Sequence, residues 1–206
     1  MNHPTRLRAE HLSEALGITT TRPRFSWTPP EGTVRQRAYQ ITASNGWDSG
    51  RVESGTHRLV PYGGPALGSR DRFEWTVRTW DLAADGSESA SGWAEPMPVE
   101  LGLLRPADWT AQWIGPAEPA IPAPGERQGY ALSTTFELDA VPDSARAYAT
   151  AHGIYELFIN GHRVGDQELT PGSTSYHSTL QVQTFDVGTL LHAGSNTVTG
   201  VLTDGW

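Results

Sequence analysis

The sequence predicts an all-β protein made of two tandem antiparallel β-sandwiches. The chain has 22 Gly and 15 Pro among its 206 residues, a content typical of short strands joined by many turns. Apolar and polar residues alternate with a period of two in several short segments. Repeated amphipathic helical patterns are absent. The length is enough for two ordinary domains, each with its own core.

The strongest strand of the first half runs from Phe73 to Trp80. Phe73, Trp75, Val77 and Thr79 share one face, so this face is predicted to be the core side. Shorter strands are predicted at 24–27, 38–43, 51–53, 57–60 and 94–101, and residues 1–17 as an extended arm or an edge strand.

Seven or so short strands within roughly 100 residues are typical of a fibronectin type III or immunoglobulin-like sandwich. We assign this domain to residues 1–102 and a junction to residues 103–116. Trp109 and Trp113 offer large apolar area in the junction, and we predict that both lie at the interface of the two sandwiches.

Residues 117–206 hold the second set of strands. Residues 132–138 alternate as a strand, and residues 145–151, with small side chains, are predicted to form a central strand. Tyr155 to Ile159 lead directly into Asn160-Gly161, which favours a two-residue hairpin turn. One helical turn is expected at 186–191, before the period of two resumes at 196–203.

Composition excludes several classes of function. The formal charge is −8 and all 15 cationic residues are Arg, which argues against a nucleic acid or an anionic membrane as partner. The chain has no Cys, hence no disulfide and no thiolate site. The first 17 residues lack the apolar core of a signal peptide, and no stretch approaches the ~20 apolar residues of a membrane span. We therefore expect a cytoplasmic protein, with secretion left open.

Several motifs together resemble a known family. The second half carries, in order, Tyr155-x-Leu157-x-Ile159-Asn160-Gly161, Pro171-Gly172, Phe185-Asp186-Val187, Gly194-x-Asn196 and Asp204-Gly205-Trp206. This combination resembles the N-terminal β-sandwich domain of bacterial α-L-rhamnosidases, glycoside hydrolase family 78. The blocks at 23–27, 38–41, 47–52 and 75–81 resemble the fibronectin-like module that precedes that domain.

The resemblance implies a jelly-roll or galactose-binding-like fold for residues 117–206, incomplete at its C-terminal end. The whole enzyme would hydrolyse terminal α-L-rhamnosyl residues of glycosides with inversion, using two carboxyl groups in an (α/α)6 domain that this chain lacks. The chain would thus carry no catalytic residue. It would pack on the missing C-terminal domains and meet rhamnose-containing glycosides through the parent enzyme.

Carbohydrate binding is the activity that the chain itself could retain, because sugar rings stack on aromatic side chains beside polar groups. Trp47, Trp93 and Tyr176 lie near predicted turns and are the candidate contacts. The second hypothesis is a freestanding carbohydrate-binding or interaction protein built from the same two sandwiches.

No cofactor and no metal site are predicted. The seven His show no metal-ligand spacing, although His152 and His162 flank one strand. Ca²⁺ is left open by the resemblance, with Asp166, Glu168 and Asp204 as candidate oxygen ligands.

Overall fold

The computed structural model describes residues 2–120, 122–123 and 126–205. The chain divides into two compact units, Met1–Thr110 and Ala111–Trp206. Within the described residues the regular elements are strands, apart from short 3-10 helices at Pro106–Asp108 and Gly188–Leu190. The prediction of an all-β chain is confirmed. None of the helical segments in this part of the chain is long and apolar enough to span a membrane.

The first unit contains two sheets. Its strands are β1 (Thr5–Ala9), β2 (Ala15–Ile18), β3 (Arg24–Thr28), β4 (Arg35–Ala43), β5 (Val52–Glu53), β6 (Val60–Pro61), β7 (Arg72–Leu82), β8 (Glu88–Ala90) and β9 (Met97–Leu101). The larger sheet has the order β2-β9-β7-β4-β5 with β8 paired to β7, and the smaller has the order β1-β3-β6. The pairings are antiparallel except that of β2 with β9, which is parallel.

The core of the first unit is an aromatic cluster between these sheets. Phe73, Trp75, Val77 and Thr79 are all buried, as the alternation on β7 predicts. The Trp75 ring stacks on Phe25 of the opposite sheet with centroids 4.2 Å apart. Aromatic pairs of this kind add to the free energy gained by burial itself, so this unit has a closed core.

The second unit also has two sheets, of unequal width. Its strands are β10 (Tyr130–Leu138), β11 (Arg146–Ala149), β12 (Ile154–Ile159), β13 (His162–Arg163), β14 (Gln183–Asp186) and β15 (Gly194–Thr203). One sheet has four strands in the order β10-β15-β12-β13, and the other has two, β11 and β14. The wide sheet is therefore faced by a sheet two strands narrower.

The structure bears on several predictions for single elements. Asn160 and Gly161 have positive φ angles of 51° and 81° and join β12 to β13, so the predicted hairpin is confirmed. The prediction of a central strand at 145–151 is wrong, because β11 lies in a sheet of two strands. Its small side chains instead reflect packing, since Ala145, Ala147 and Ala149 contact the small core of this unit.

Candidate functional site

The second unit has a concave surface, a groove of about 530 Å³. Its floor is the inner face of the wide sheet, where Leu157 of β12 and Leu132 of β10 both pair with Gly200 of β15. Residues 149–152 and 112–114 also line it. The volume is in the range of about 300–1,000 Å³ that is usual for binding pockets.

The lining of the groove is apolar and uncharged. No Asp, Glu, Lys or Arg is among the residues that line it, and its polar groups are those of Gln112, Ser133, Thr134, Thr150, His152 and Tyr155. Leu132, Leu157 and Val198 are only partly buried, and Ile114 is 78% exposed. A contiguous apolar surface of this kind usually marks an interaction site.

Two lining residues, Trp113 and His152, belong to an aromatic series. The Trp113 ring lies 4.6 Å from the His152 ring, and His152 stacks on Tyr176 at 5.8 Å. Trp113 remains 65% exposed, whereas the Tyr176 hydroxyl is buried without a hydrogen-bond partner among the described residues. Two residues predicted for separate roles, Trp113 and Tyr176, thus meet at one site through His152.

The other predicted aromatic residues lie in the first unit. Trp47 is half-buried and packs on the core, with its ring 4.7 Å from Tyr62 and 6.4 Å from Phe25. Trp109 is half-buried and follows the 3-10 helix, where its backbone N–H donates to the carbonyl of Pro106. The predictions of a sugar contact at Trp47 and of a domain interface at Trp109 and Trp113 stay predictions.

Trp93 lies in an arginine–tryptophan ladder on the outer face of the larger sheet. The Arg78 guanidinium lies 4.9 Å from the Trp93 ring and 5.0 Å from the Trp80 ring. Arg51 covers Trp80 at 4.6 Å, and Gln40 Oε1 accepts from Arg78 Nη2 at 2.8 Å. Cation–π contacts of this kind fix ring orientation, and Trp93 keeps 39% of its surface exposed.

A buried amide network fixes the hairpin end of the second unit. Asn196 is fully buried. Its Nδ2 donates to the carbonyls of His192 and Gly194 at 2.7 and 3.0 Å, and its Oδ1 accepts from Asn160 Nδ2 at 2.9 Å. Asn160 Oδ1 in turn accepts from the backbone N–H of Thr197 at 2.8 Å. The Asn-Gly turn and the Gly-x-Asn motif are therefore parts of one structural unit.

A bridged pair of carboxylates lies in the second unit. Arg127 donates to Glu118 Oε1 at 2.8 Å and to Asp204 Oδ1 at 2.6 Å, and the Tyr130 hydroxyl donates to Glu118 at 2.9 Å. The Arg127 hydrogen bond, with that of Tyr130, holds the pKa of Glu118 below its ordinary value. A carboxyl group with a lowered pKa keeps no proton to donate at neutral pH, so Glu118 is unsuited to act as a general acid.

The buried carboxyl of the first unit behaves differently. Asp81 is 8% exposed, and burial raises its pKa, partly offset by hydrogen bonds from Thr79 and Thr33. Its Oδ1 has no partner among the described residues. A raised pKa is a property of catalytic acids, but a side chain enclosed to this degree cannot contact a sugar. In the second unit, burial raises the pKa of Tyr155 to about 12.

Two of the three candidate metal ligands form ion pairs. Glu168 pairs with Arg163 at 3.1 Å, and Asp204 pairs with Arg127. Across residues 2–120, 122–123 and 126–205 no group of three or more His, Asp or Glu side chains could hold a metal ion.

Sequence reasoning missed Gly200 and Arg78. Gly200 interrupts the alternation at 196–203 in the middle of a strand, and this irregularity was visible in the sequence. Arg78 and Trp80 lie on one face of β7 by the alternation alone, but the contact of Arg78 with Trp93 gave no signal, because Trp93 lies beyond that strand.

Comparison with known proteins gives matches in both units. Residues 4–105 match the family model of the Rha78A-like, N-terminal immunoglobulin domain. Residues 140–206 match the model of the Alpha-L-rhamnosidase N-terminal domain. Trp206, which ends the Asp-Gly-Trp motif, lies outside the described residues.

Similar whole proteins are much longer. An α-L-rhamnosidase of Formosa agariphila is 33% identical over 96% of this chain, which spans 23% of that protein. The crystal structure of an α-L-rhamnosidase from Aspergillus terreus has a TM-score of 0.87 at 32% identity, covering 99% of this chain and 24% of that one. The α-L-rhamnosidase structure from Dictyoglumus thermophilum has a TM-score of 0.84 at 27% identity, covering 98% of this chain and 25% of that one. The chain thus spans about a quarter of the length of these relatives.

Proposed function

Because the chain belongs to the N-terminal region of the α-L-rhamnosidase family, we propose that it is the non-catalytic N-terminal part of an enzyme that hydrolyses terminal α-L-rhamnosyl residues of glycosides. Its own role is to pack on the rest of that polypeptide and to support the catalytic domain. One observation carries this proposal: almost the whole chain aligns with only a quarter of each relative.

The pKa shifts of two carboxyl groups support a non-catalytic role for this chain. Hydrolysis with inversion needs a general acid with a raised pKa and a second carboxylate about 6.5–9.5 Å away, with room for a water molecule between them. Glu118 has a lowered pKa, and Asp81, whose pKa is raised, is enclosed in a core. Neither residue fits the acid role, which agrees with a reaction located in another part of the polypeptide.

Hydrolysis of an aryl α-L-rhamnoside tests this proposal. The assay compares the 206-residue chain with the natural gene product that contains it. We expect hydrolysis by the gene product and none by the chain alone. Hydrolysis by the chain alone would contradict a non-catalytic role. A gene product that cleaves other aryl glycosides but not the rhamnoside would contradict the assignment to α-L-rhamnosidases.

Carbohydrate binding at Trp93 is a second proposed role. The ring is held from one side by Arg78 while 39% of the residue stays exposed, an arrangement suited to stacking on a sugar. Titration with methyl α-L-rhamnoside, followed by the Trp93 indole N–H signal in an NMR spectrum, tests this role. A saturable shift that disappears in Trp93→Ala and persists in Trp113→Ala is expected, and an unchanged spectrum at high sugar concentration would contradict it.

The freestanding alternative is not favoured, because the relatives carry this pair of domains within proteins about four times as long. A freestanding protein also has no evident reason to keep an uncharged apolar groove open to water.

A further inference from the structure

We propose that the arginine–tryptophan ladder of the first unit binds an acidic sugar, with Arg78 holding its anionic group and Trp93 packing against its ring. The proposal rests on the proposed function, because it takes the chain to belong to an enzyme of glycosides, and it deepens the second role given to Trp93. It adds the charge of the preferred sugar and the residue that selects it.

Arg78 differs from the neighbouring arginines of this sheet face in its partners. Arg51 pairs with Glu53 at 2.6 Å and with Glu88 at 3.0 Å, and Arg37 lies 3.9 Å from Glu88. Arg78 is half-buried, yet no Asp or Glu in the part of the chain that the structure describes forms an ion pair with it. Charges that are partly removed from water are normally paired. An anion from outside these residues would complete the site.

The hydrogen bonds of Arg78 leave one edge of its guanidinium group for a ligand. Nε and Nη2 both donate to Gln40 Oε1, at 3.0 and 2.8 Å. Among the described residues, Nη1 has no hydrogen-bond acceptor. The edge formed by Nη1 and Nη2 has the geometry that binds both oxygens of a carboxylate at once. The same edge suits the oxygens of a sulfate ester.

Gln40 orients Arg78 without neutralising its charge. Gln40 Nε2 donates to both carboxylate oxygens of Asp48, at 2.8 and 2.9 Å, so the amide oxygen of Gln40 faces Arg78. Asp48 also accepts from the backbone N–H of Gly50 at 2.8 Å. A neutral amide thus stands between Asp48 and the guanidinium group, whose positive charge remains for a ligand.

Two tryptophan rings hold the guanidinium group in place before any ligand binds. Arg78 lies 5.0 Å from the Trp80 ring and 4.9 Å from the Trp93 ring. Stacking of this kind restricts the guanidinium plane, so an anion that binds there costs little further side-chain entropy. Trp93 keeps 39% of its surface exposed and offers an apolar ring beside the cation.

These two features match the two parts of an acidic sugar. The C–H face of a sugar ring packs on an aromatic side chain, and its carboxylate or sulfate ester pairs with an arginine. A neutral sugar makes only the first contact. Because the whole chain carries a formal charge of −8, long polyanions are disfavoured, and we expect a short acidic glycan whose affinity falls with salt.

The test compares sugars that differ only in charge. The 206-residue chain is titrated with methyl β-D-glucuronide and with methyl β-D-glucoside, while NMR follows the Trp93 indole N–H and the Arg78 Nε–H. We expect the glucuronide to bind at least about tenfold more tightly at low salt, because hydrogen bonds to a charged group are the strong ones. Glucose 6-sulfate, compared with glucose, shows whether a sulfate ester gives the same preference as a carboxylate.

Two matched variants separate binding from a purely structural role of the ladder. Arg78→Lys keeps the charge but loses the two-nitrogen edge, so most of the tenfold preference should disappear. Arg51→Lys is the control, because Arg51 also covers Trp80, at 4.6 Å, but already has carboxylate partners. The control should keep the preference. Trp93→Ala should weaken the binding of both sugars, and the melting temperature of each variant shows that it is folded.

Several results would overturn the proposal. Equal affinities for the charged and neutral sugars, or no binding of either, would mean that the ladder only stabilises the fold. An unchanged preference in folded Arg78→Lys would assign the selection to other groups. Equal shifts caused by sodium acetate or sodium sulfate would mean an adventitious ion only.

The hydrolysis assay of the natural gene product separates this proposal from the proposed function. A gene product that cleaves the aryl α-L-rhamnoside, with no acidic preference in the chain, contradicts the ladder site and leaves the proposed function supported. An acidic preference that depends on Arg78, with no rhamnoside cleavage by the gene product, contradicts the proposed function and leaves the site supported.

Discussion

The two units of the chain bury their apolar residues to different extents. In the first unit, sixteen buried side chains form one cluster. Three of them, Phe25, Trp75 and Val77, are fully buried. In the second unit the corresponding cluster has four, Ile159, Val164, Phe185 and Val187, and half-buried residues surround it. Both units have comparable strand patterns in the sequence. The difference shows that a regular pattern predicts which face is apolar and leaves open what covers it.

The largest difference between the units is expected for loss of a core tryptophan. Trp75→Ala removes a fully buried ring that stacks on Phe25 and should destabilise the first unit by about 3–5 kcal/mol. Trp113→Ala, at a residue 65% exposed, should change stability by less than about 0.5 kcal/mol. Urea unfolding followed by NMR signals of each unit measures both. Similar losses for the two variants would contradict the account of a closed and an open core.

The second unit has its own fully buried residue, Asn196, and its loss should affect only that unit. Asn196→Ala leaves the carbonyls of His192 and Gly194 without the Asn196 donor and removes a fully buried side chain, which should destabilise the second unit by roughly 1–3 kcal/mol. His192→Ala is the control, because that exposed side chain accounts for none of the bonds to Asn196. Urea unfolding of the same NMR signals reads out the loss, and an Asn196→Ala chain as stable as the control would show that the network is dispensable.

The floor of the groove should be less sensitive than an ordinary core. Leu157→Ala removes a half-buried side chain that borders empty space, so we expect a loss of about 1 kcal/mol in this chain, below the usual 2–5 kcal/mol for a buried leucine. Ile41→Ala, at a fully buried position of the first unit, should show the full loss. Thermal unfolding of both variants makes the comparison, and equal losses would mean that the groove is already filled.

The smallest expected effect is the pH dependence of the stability of the first unit. Since burial raises the pKa of Asp81, the folded state keeps a proton that the unfolded chain has released. Stability from this group is therefore fully present below the unfolded pKa of about 4 and is lost as pH rises through the folded pKa. Asp81→Asn removes this dependence. The melting temperature of the variant minus that of the wild type should increase between pH 4 and neutral pH, and a constant difference would contradict the raised pKa.

Much of the fold could be predicted from local patterns. The alternation Phe73, Trp75, Val77 and Thr79 gave the core face of β7, and Asn160-Gly161 gave the hairpin, because each depends on neighbouring residues. Pairings between distant segments could not be predicted in this way. The parallel pairing of β2 with β9 and the short exposed strand β8 at Glu88–Ala90 have no local signal.

The candidate site was predicted only in part, for a related reason. Trp113 and Tyr176 were selected as single aromatic residues, whereas their connection through His152 joins three separate parts of the chain. Leu132 and Leu157 were recognised as strand residues, but their exposure depends on the width of the opposite sheet. Strand periodicity alone contains no information about that width.

Hydrogen exchange of backbone amides tests the central claim most directly, with the 206-residue chain compared to the natural gene product. Amides of β4 and β7, in the closed first unit, should be equally protected in both. Amides of β12 and β15, beneath the groove, should exchange at least about tenfold more slowly in the gene product, because packing on the rest of the polypeptide removes local opening. Equal protection of β12 and β15 in the two proteins would contradict the proposal that the second unit packs on the rest of a longer polypeptide.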